Sequence, residues 1–397
     1  MTMNATIEIA PAPDAVSQRL TFVLAAACGM VAANIYYAQP LIAPISAALG
    51  LSHEAAGLIV TMTQIGYGVG LLFIVPLGDL VENRTLICSV ITLGAAALLA
   101  AGFASHALPF LIAALFIGLG SVAVQIIIPY AAHLAPEAIR GRVVGNVSTG
   151  LMLGIMLARP VSSFVTAVLS WHAVFFLSAA LMIVLAAVLW MTLPKRKPVA
   201  RMHYGELLLS MPHLVRTTPL LRRRALYQAS LFGAFSLFWT VTPLLLANEF
   251  GFTQRGIALF ALAGVAGVFA APIAGRLADR GHSRVATLVA MLLVAVGFLI
   301  TQIGAAGSTL NLACLVVAAI AIDFGVQGNV VLGFRAIFVL GHEHRSRLNG
   351  LYMATFFSAA AAGSALGAWA FAQGGWTLAS AIGLALPVAG LAYAATE

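Results

Sequence analysis

Long apolar segments alternate with short polar turns along almost the whole chain. A segment of roughly 20 apolar residues is long enough to cross the hydrocarbon core of a bilayer as an α-helix. The pattern therefore predicts an all-α membrane protein. Twelve spans are predicted, over residues 19–48, 54–79, 85–104, 108–134, 142–167, 171–193, 224–248, 254–278, 285–304, 309–334, 347–372 and 376–395.

The polar turn after the second span recurs after the eighth. Asp79 and Arg84 in the first turn have counterparts in Asp279 and Arg284 in the second, at the same spacing. Other landmarks recur at nearly the same offset: Gly50 with Gly251, Arg140-Gly141-Arg142 with Arg345-Ser346-Arg347, Gly145 with Gly350, and Trp171 with Trp376. Such a repeat predicts two similar halves of six helices each, related by pseudo-symmetry.

The predicted organisation has four parts. They are a tail over 1–18, a first six-helix half over 19–193, a basic linker over 194–223 and a second six-helix half over 224–397. Residues 194–224 hold eight of the twenty Lys and Arg residues and the single acid Glu206. The portion from Tyr204 to Leu209 either lies on the inner membrane surface, attracted to anionic lipid, or is a plain solvated loop.

Composition agrees with a membrane protein and excludes a soluble one. Hydrophobic residues make up 62% of the 397 residues and charged residues only 8%, which is too little polar surface for a soluble globule of this size. The three cysteines lie singly in separate spans, without metal-ligand or redox spacing.

The net charge of +8 indicates topology rather than nucleic-acid binding. Seventeen of the twenty basic residues lie at one set of helix ends, leaving Arg159, Arg255 and Arg335 outside that set. By the positive-inside rule, the basic ends and both termini are cytoplasmic.

Polar residues at membrane depth are the candidate binding residues, because lipid offers them no hydrogen bonds. Asn34, Tyr37 and Leu41 fall on one helical face of the first span. Trp239 belongs to an aromatic stripe in the seventh span that either packs or binds. The predicted substrate-binding residues are Asn34, Tyr37, Gln39, Gln64, Tyr67, Gln125, Arg159, Trp239, Gln327 and Tyr352.

Asp323 is the one carboxylate that the sequence places well inside the membrane. A buried carboxylate near an arginine can exchange a proton as its surroundings alternate, so Asp323 is the candidate proton-coupling residue; the alternative is a fixed structural ion pair. Arg159 either binds an anionic or carbonyl-bearing substrate group or pairs with Asp323 or helix carbonyls.

Twelve spans in two halves, a basic central linker and the Asp/Arg turns together resemble the major facilitator superfamily over nearly the whole chain. The segment Asn34-Ile35-Tyr36-Tyr37-Ala38-Gln39-Pro40, with Asp323 and the run Arg345 to Asn349, is similar to the bacterial drug:proton antiporter branch. The resemblance implies a monomer in the bacterial inner membrane that works by alternating access. It needs no cofactor or metal and uses the proton gradient as its energy source.

The resemblance also implies gating residues at the cytoplasmic ends. Asp79 is expected to meet the positive start of the eleventh span and Asp279 that of the fifth. The alternative is that these residues only satisfy turn and topology requirements. The predicted gating residues are Asp79, Arg84, Arg142, Asp279, Arg284 and Arg347.

The sequence thus predicts a secondary transporter that couples protons to the efflux of a small neutral, zwitterionic or anionic amphiphile. The alternative is a symporter or facilitator for an organic anion or a sugar-like solute, since fold does not set direction. Its expected partners are the substrate, protons and lipid, and no nucleic acid. No catalytic cluster or ATP-binding loop is found in the sequence, so an enzyme or an ATP-driven pump is not predicted.

Overall fold

The computed structural model describes residues 17–198, 203–340 and 345–397. Within these ranges the regular elements are α-helices and short 3₁₀ helices, as predicted for an all-α protein. Residues 1–16 of the predicted tail and residues 199–202 of the predicted linker lie outside the described ranges.

In the part of the chain from residue 17 to the linker, eight α-helices are found, and two 3₁₀ helices interrupt the first two predicted spans. The α-helices are α1 Gln18–Ala33, α2 Ile42–Leu49, α3 Leu58–Phe73, α4 Asn83–Phe103, α5 Ala107–Ser121, α6 Ala123–Leu134, α7 Glu137–Val168 and α8 Trp171–Thr192. The 3₁₀ helices are Gln39–Leu41 and Val75–Asp79.

The linker contains a helix, and the second half repeats the pattern of the first. The α-helices are α9 Tyr204–Thr217, α10 Pro219–Phe250, α11 Gln254–Ala261, α12 Ala270–Asp279, α13 Ser283–Ile300, α14 Thr309–Phe338 and α15 Arg345–Ala394. A 3₁₀ helix, Leu262–Phe269, separates α11 from α12.

Ten helices in the described part of the chain are long and apolar enough to cross a membrane. The first predicted span consists of the two shorter helices Gln18–Ala33 and Gln39–Leu49, and the last two predicted spans fall within one 48-residue helix, Arg347–Ala394. Gly374 and Gly375 interrupt that helix, and Gly375 has a φ of +60°, which glycine adopts readily. The count of twelve is therefore not confirmed by helix length and composition.

The sequence repeat reappears as a repeat of local geometry. Gly50 follows α2 with a φ of +67°, and its counterpart Gly251 follows α10 with a φ of +64°. Each glycine ends its helix in the left-handed conformation, where a Cβ would be strained. The same residue therefore stops a helix at the same point of each half.

Glycines bring two helices of each half into backbone contact. A Cβ on Gly29 of α1 would lie 2.6 Å from the carbonyl oxygen of Gly150 of α7, and one on Gly154 would collide with Gly29. In the second half, a Cβ on Gly363 of α15 would collide with Gly233 of α10. Small residues allow membrane helices to approach this closely, so these contacts hold each half together.

We expect Gly154→Ala to lower the melting temperature in detergent, since the new methyl group overpacks the contact with Gly29 and costs about 1–3 kcal/mol. Gly145→Ala on the same helix is the matched control, because a Cβ there meets no heavy atom within 4 Å. Equal melting temperatures for the two variants would contradict the packing described above.

Candidate functional site

A buried arginine and a buried aspartate meet between the two halves of the bundle. Arg159 belongs to α7 of the first half and Asp323 to α14 of the second. Their Nη1 and Oδ1 atoms lie 4.0 Å apart, and the side chains are 1% and 0% exposed. The sequence left open whether these residues touch, and the structure brings them together.

Arg159 is held by an amide and by three aromatic rings. Its Nε donates to Oε1 of Gln39 at 2.7 Å. The guanidinium carbon lies 4.3 Å from the ring centroid of Trp239, 5.0 Å from that of Phe235 and 5.2 Å from that of Tyr36. Rings facing a desolvated guanidinium stabilise its charge, which offsets part of the cost of burying it.

Asp323 is fixed from the second half. Its Oδ2 accepts a hydrogen bond from Nε1 of Trp239 at 2.8 Å. Gly264 and Gly267 of the 3₁₀ helix Leu262–Phe269 pack against it, and a Cβ on Gly267 would lie 3.1 Å from the Cβ of Asp323. The carboxylate can lie this close to the backbone of the eighth span because these two residues are glycines.

Three buried polar atoms at this point have no hydrogen-bond partner among the described residues. They are Nε2 of Gln39, Nη2 of Arg159 and Oδ1 of Asp323. Leaving buried polar groups unpaired is unfavourable, so a water, an ion or a ligand that bonds to them here would be stabilised. The arrangement offers donors on one side and an acceptor on the other.

A second set of predicted residues forms polar contacts near this pair. Gln64 of α3 and Ser236 of α10 exchange hydrogen bonds of 2.9 and 3.2 Å between the halves. Gln125 of α6 donates to the Tyr67 hydroxyl at 3.0 Å and accepts from Asn349 of α15 at 3.5 Å. Gln64, Tyr67 and Gln125 therefore lie where the two halves meet.

Asn34 and Tyr37 contact the first half itself. The Ser178 hydroxyl of α8 donates to Oδ1 of Asn34 at 2.5 Å and also lies beside Tyr37. The regular helix ends at Ala33, and turns follow until the 3₁₀ helix begins. Tyr36, which is not among the predicted binding residues, lies beside the Arg159 guanidinium. The role of Asn34 and Tyr37 as substrate contacts remains a prediction.

Gln327 and Tyr352 are buried in the second half. Gln327 lies one helical turn from Asp323 on α14. The Tyr352 hydroxyl lies against Gly333, and its ring packs edge to face on Phe334. Their role as substrate contacts remains a prediction.

The end of the bundle that carries the linker contains the predicted gating residues. Arg84 donates to the carbonyl oxygens of Trp190 and Leu193, both at 3.4 Å, and lies over the Trp190 ring, so it joins α4 to the end of α8. Arg142 is exposed. Arg284 lines a small polar cavity with other residues of the second half.

The linker helix α9 touches both halves at this end. The Tyr204 hydroxyl donates to the carbonyl oxygen of Phe73 at 2.7 Å, and Arg347 donates to Oγ of Ser210 at 2.7 Å. The segment that begins at Tyr204 is therefore a helix packed against the ends of both halves.

The two aspartates of the repeated turns differ in their surroundings. Asp79 ends the 3₁₀ helix Val75–Asp79, which contacts α15, as the resemblance predicts for the ends of the second and eleventh spans. Asp279 instead forms an ion pair with Arg335 of α14 at 2.6 Å. The structure thus gives Asp279 a partner in its own half, whereas the repeat symmetry predicts one at the start of α7.

Glu82 caps the helix that follows the first turn. It accepts hydrogen bonds from the backbone N–H groups of Arg84, Thr85 and Arg196 and from the Thr85 hydroxyl. Partial burial raises the pKa of Glu82, but these hydrogen bonds outweigh burial and hold the pKa below its ordinary value. Glu82 therefore stays ionised at neutral pH and joins the start of the linker to the turn.

Comparison with known proteins supports this reading of the fold. The sequence profile described as Major Facilitator Superfamily matches residues 22–338. The chain is 36% identical over 361 residues to the putative uncharacterized transporter YgaY of Escherichia coli strain K12, covering 91% of each chain. It is 32% identical to the probable transporter SCO4007 of Streptomyces coelicolor, covering 92% of this chain and 84% of the relative.

Two solved structures share the fold at low sequence identity. A bacterial homologue of the human lysosomal transporter Spinster, in an inward-facing and occupied conformation, has a TM-score of 0.74 at 14% identity, with 97% of each chain covered. A POT family transporter in complex with 5-aminolevulinic acid has a TM-score of 0.73 at 15% identity, with 95% of each chain covered.

We expect Arg159→Met and Asp323→Asn each to destabilise the protein, since each leaves the other charged group buried without its partner, at a cost of about 3–5 kcal/mol. The double variant is expected to lose much less stability than the two single variants together, because no unpaired buried charge remains. Melting curves in detergent measure this, with Arg255→Met, an exposed arginine, as the control. Additive losses would contradict a direct interaction.

Proposed function

Because the chain belongs to the Major Facilitator Superfamily, we propose that it is a proton-coupled secondary transporter that exports a small amphiphilic organic molecule by alternating access. The relatives and the fold make it a multi-pass membrane transporter rather than an enzyme. Proton coupling, direction and the class of substrate are the proposed part.

The topology that we propose has twelve crossings. α1, the 3₁₀ helix Gln39–Leu41 and α2 together form the first crossing. α15 supplies the last two, because the break at Gly374 and Gly375 divides it into two helical segments. The shorter segment, over 376–394, is about 28 Å long, close to the hydrocarbon thickness of about 30 Å. The linker end is cytoplasmic by the positive-inside rule, and the bacterial relatives support an inner-membrane location.

The contact between Arg159 and Asp323 is the main observation in support of the proposed proton coupling. It joins opposite charges from the two halves in a water-poor environment, where their attraction is strong. When Asp323 binds a proton it loses its charge, so this attraction between the halves disappears. Protonation can thereby change the relative stability of the conformations that alternate.

Contacts between the halves lie on both sides of this pair. Towards the end opposite the linker, the Thr61 hydroxyl donates to the Ala361 carbonyl oxygen at 3.2 Å, and the Ser364 hydroxyl to that of Gly57 at 3.1 Å. Towards the linker end, α3 and its 3₁₀ extension contact the start of α15. These contacts support a conformation in which the halves close around the site.

A symporter or facilitator for an organic anion is the second candidate. It is favoured by Arg159, whose buried Nη2 is a donor without a partner in the described residues. A guanidinium in this state can bind an anionic group.

For the gate, we expect Asp79→Asn to weaken the contact between the ends of the second and eleventh spans and shift the protein towards the inward-open state. The readout is labelling of Gln125→Cys by a cytoplasmic-side thiol reagent, in a background with the native cysteines replaced by alanine. Labelling is expected to become faster. Unchanged labelling, equal to that of the exposed-residue control Glu249→Gln, would assign Asp79 to the turn alone.

For coupling, we expect addition of pooled small organic compounds to proteoliposomes with a trapped pH dye to cause proton movement, and Asp323→Asn to abolish it. The physical reason is that asparagine cannot bind the transported proton. Glu249→Gln, which neutralises an exposed carboxylate, is the matched control and should retain the signal.

The same liposomes separate the candidates by tracer flux. Solute that crosses in wild-type protein without proton movement supports the facilitator and makes Asp323 structural. Full uphill transport by Asp323→Asn would place the proton carrier elsewhere.

A further inference from the structure

The three atoms without a hydrogen-bond partner, on Gln39, Arg159 and Asp323, match the charged groups of a zwitterion. We propose that they bind a zwitterionic substrate, with its carboxylate on Arg159 and Gln39 and its ammonium group on Asp323. The proposal rests on this site being the transport site, and it narrows the substrate to amino-acid-like compounds.

The carboxylate side is formed by two neighbouring donors. Nε of Arg159 is already bonded to Oε1 of Gln39, which leaves Nη2 as the unpaired donor of the guanidinium. The same bond sets the orientation of the Gln39 amide, because an amide turned the other way would place two donors against each other. Nε2 of Gln39 is therefore a second donor, and two donors from adjacent side chains suit the two oxygens of a carboxylate.

The ammonium side is formed by one oxygen of Asp323. Its Oδ2 is taken by Trp239, whereas Oδ1 is unpaired and lies 4.0 Å from Nη1 of Arg159. That separation exceeds hydrogen-bond length, so each group can bind a different atom of one ligand. The rings of Tyr36, Phe235 and Trp239 line the site and are themselves attractive to a cation.

Charge balance selects the zwitterion over singly charged compounds. The site contributes one positive and one negative charge, both fully buried. A cation would neutralise Asp323 and leave Arg159 unpaired, and an anion would do the reverse, with a strongly unfavourable buried charge in either case. A ligand that carries both charges supplies a partner to each group.

This binding mode also connects substrate to proton. A protonated Asp323 has lost its negative charge and binds an ammonium group much more weakly. The proton and the substrate therefore compete for the same carboxylate. Binding is therefore expected to weaken as pH falls and Asp323 becomes protonated. Competition of this kind produces exchange of one ligand for the other when the site alternates.

The test compares three chemical forms of each of three side chains: free glycine, leucine and phenylalanine, their N-acetyl derivatives and their amides. Binding to the purified full-length protein is measured by calorimetry and by the shift in melting temperature. For at least one side chain, the free amino acid is expected to bind about tenfold or more tightly than both blocked forms.

Variants identify which side chain binds which charged group of the ligand. Asp323→Asn should remove the preference for the free amino acid over its N-acetyl derivative, whereas Arg159→Gln should remove the preference for the free amino acid over its amide. Gln39→Leu keeps both charges and is expected to weaken binding of the free amino acid and of the N-acetyl form by similar factors, because both carry the carboxylate that Gln39 would bind. This variant still tests the proposal if a variant that removes a charge fails to fold.

Two results would overturn the proposal. One is that no form of any of the three side chains binds, which would make the site an internal ion pair only. The other is that a blocked form binds as tightly as the free amino acid for every side chain. Selective binding without proton movement in liposomes would instead refute proton coupling alone, so the two proposals fail separately.

Discussion

A charge inside the hydrocarbon core must find its partner within the protein, because lipid supplies none. In this chain that constraint joins the two halves. Arg159 is bonded to Gln39 in its own half and reaches Asp323 and the rings of Phe235 and Trp239 in the second half, while Trp239 also donates to Asp323. The helices that carry these residues must therefore meet at one depth.

In each half, regular α-helix is interrupted beside the pair of Arg159 and Asp323. The 3₁₀ helix Gln39–Leu41 presents Gln39 to Arg159, and the 3₁₀ helix Leu262–Phe269 presents two glycines to Asp323. Short 3₁₀ stretches within helices often mark functional hinges. The irregular backbone of the first and eighth spans thus lies beside the buried pair of Arg159 and Asp323.

Sequence reasoning succeeded where the helix period is regular and failed where it breaks. The all-helical fold follows from apolar segment length, and the paired turns at Gly50 and Gly251 follow from the repeat. Asn34 and Tyr37 were grouped on one helical face, but the regular helix ends at Ala33. Tyr36, between them, is the residue that lies beside Arg159, and the helical pattern did not single it out.

Contacts between residues that are far apart in the sequence could not be predicted from the local sequence pattern. Arg159 and Asp323 stood out as charges at membrane depth, but their contact depends on how two helices from different halves are placed. Asp279 was matched to the start of α7 by symmetry, yet it pairs with Arg335 of α14 in its own half. The halves are alike in backbone and differ in their charges.

The glycine contacts within each half have a consequence for divergence among relatives. A Cβ on Gly29, Gly154 or Gly363 would collide with the backbone of the facing helix, so substitution there by any larger residue requires the helices to separate. Polar side chains between the halves, such as Gln64 with Ser236, can be exchanged for other hydrogen-bonding pairs without moving a helix. New hydrogen-bonding pairs between the halves can therefore change what the protein binds while the close packing within each half is kept.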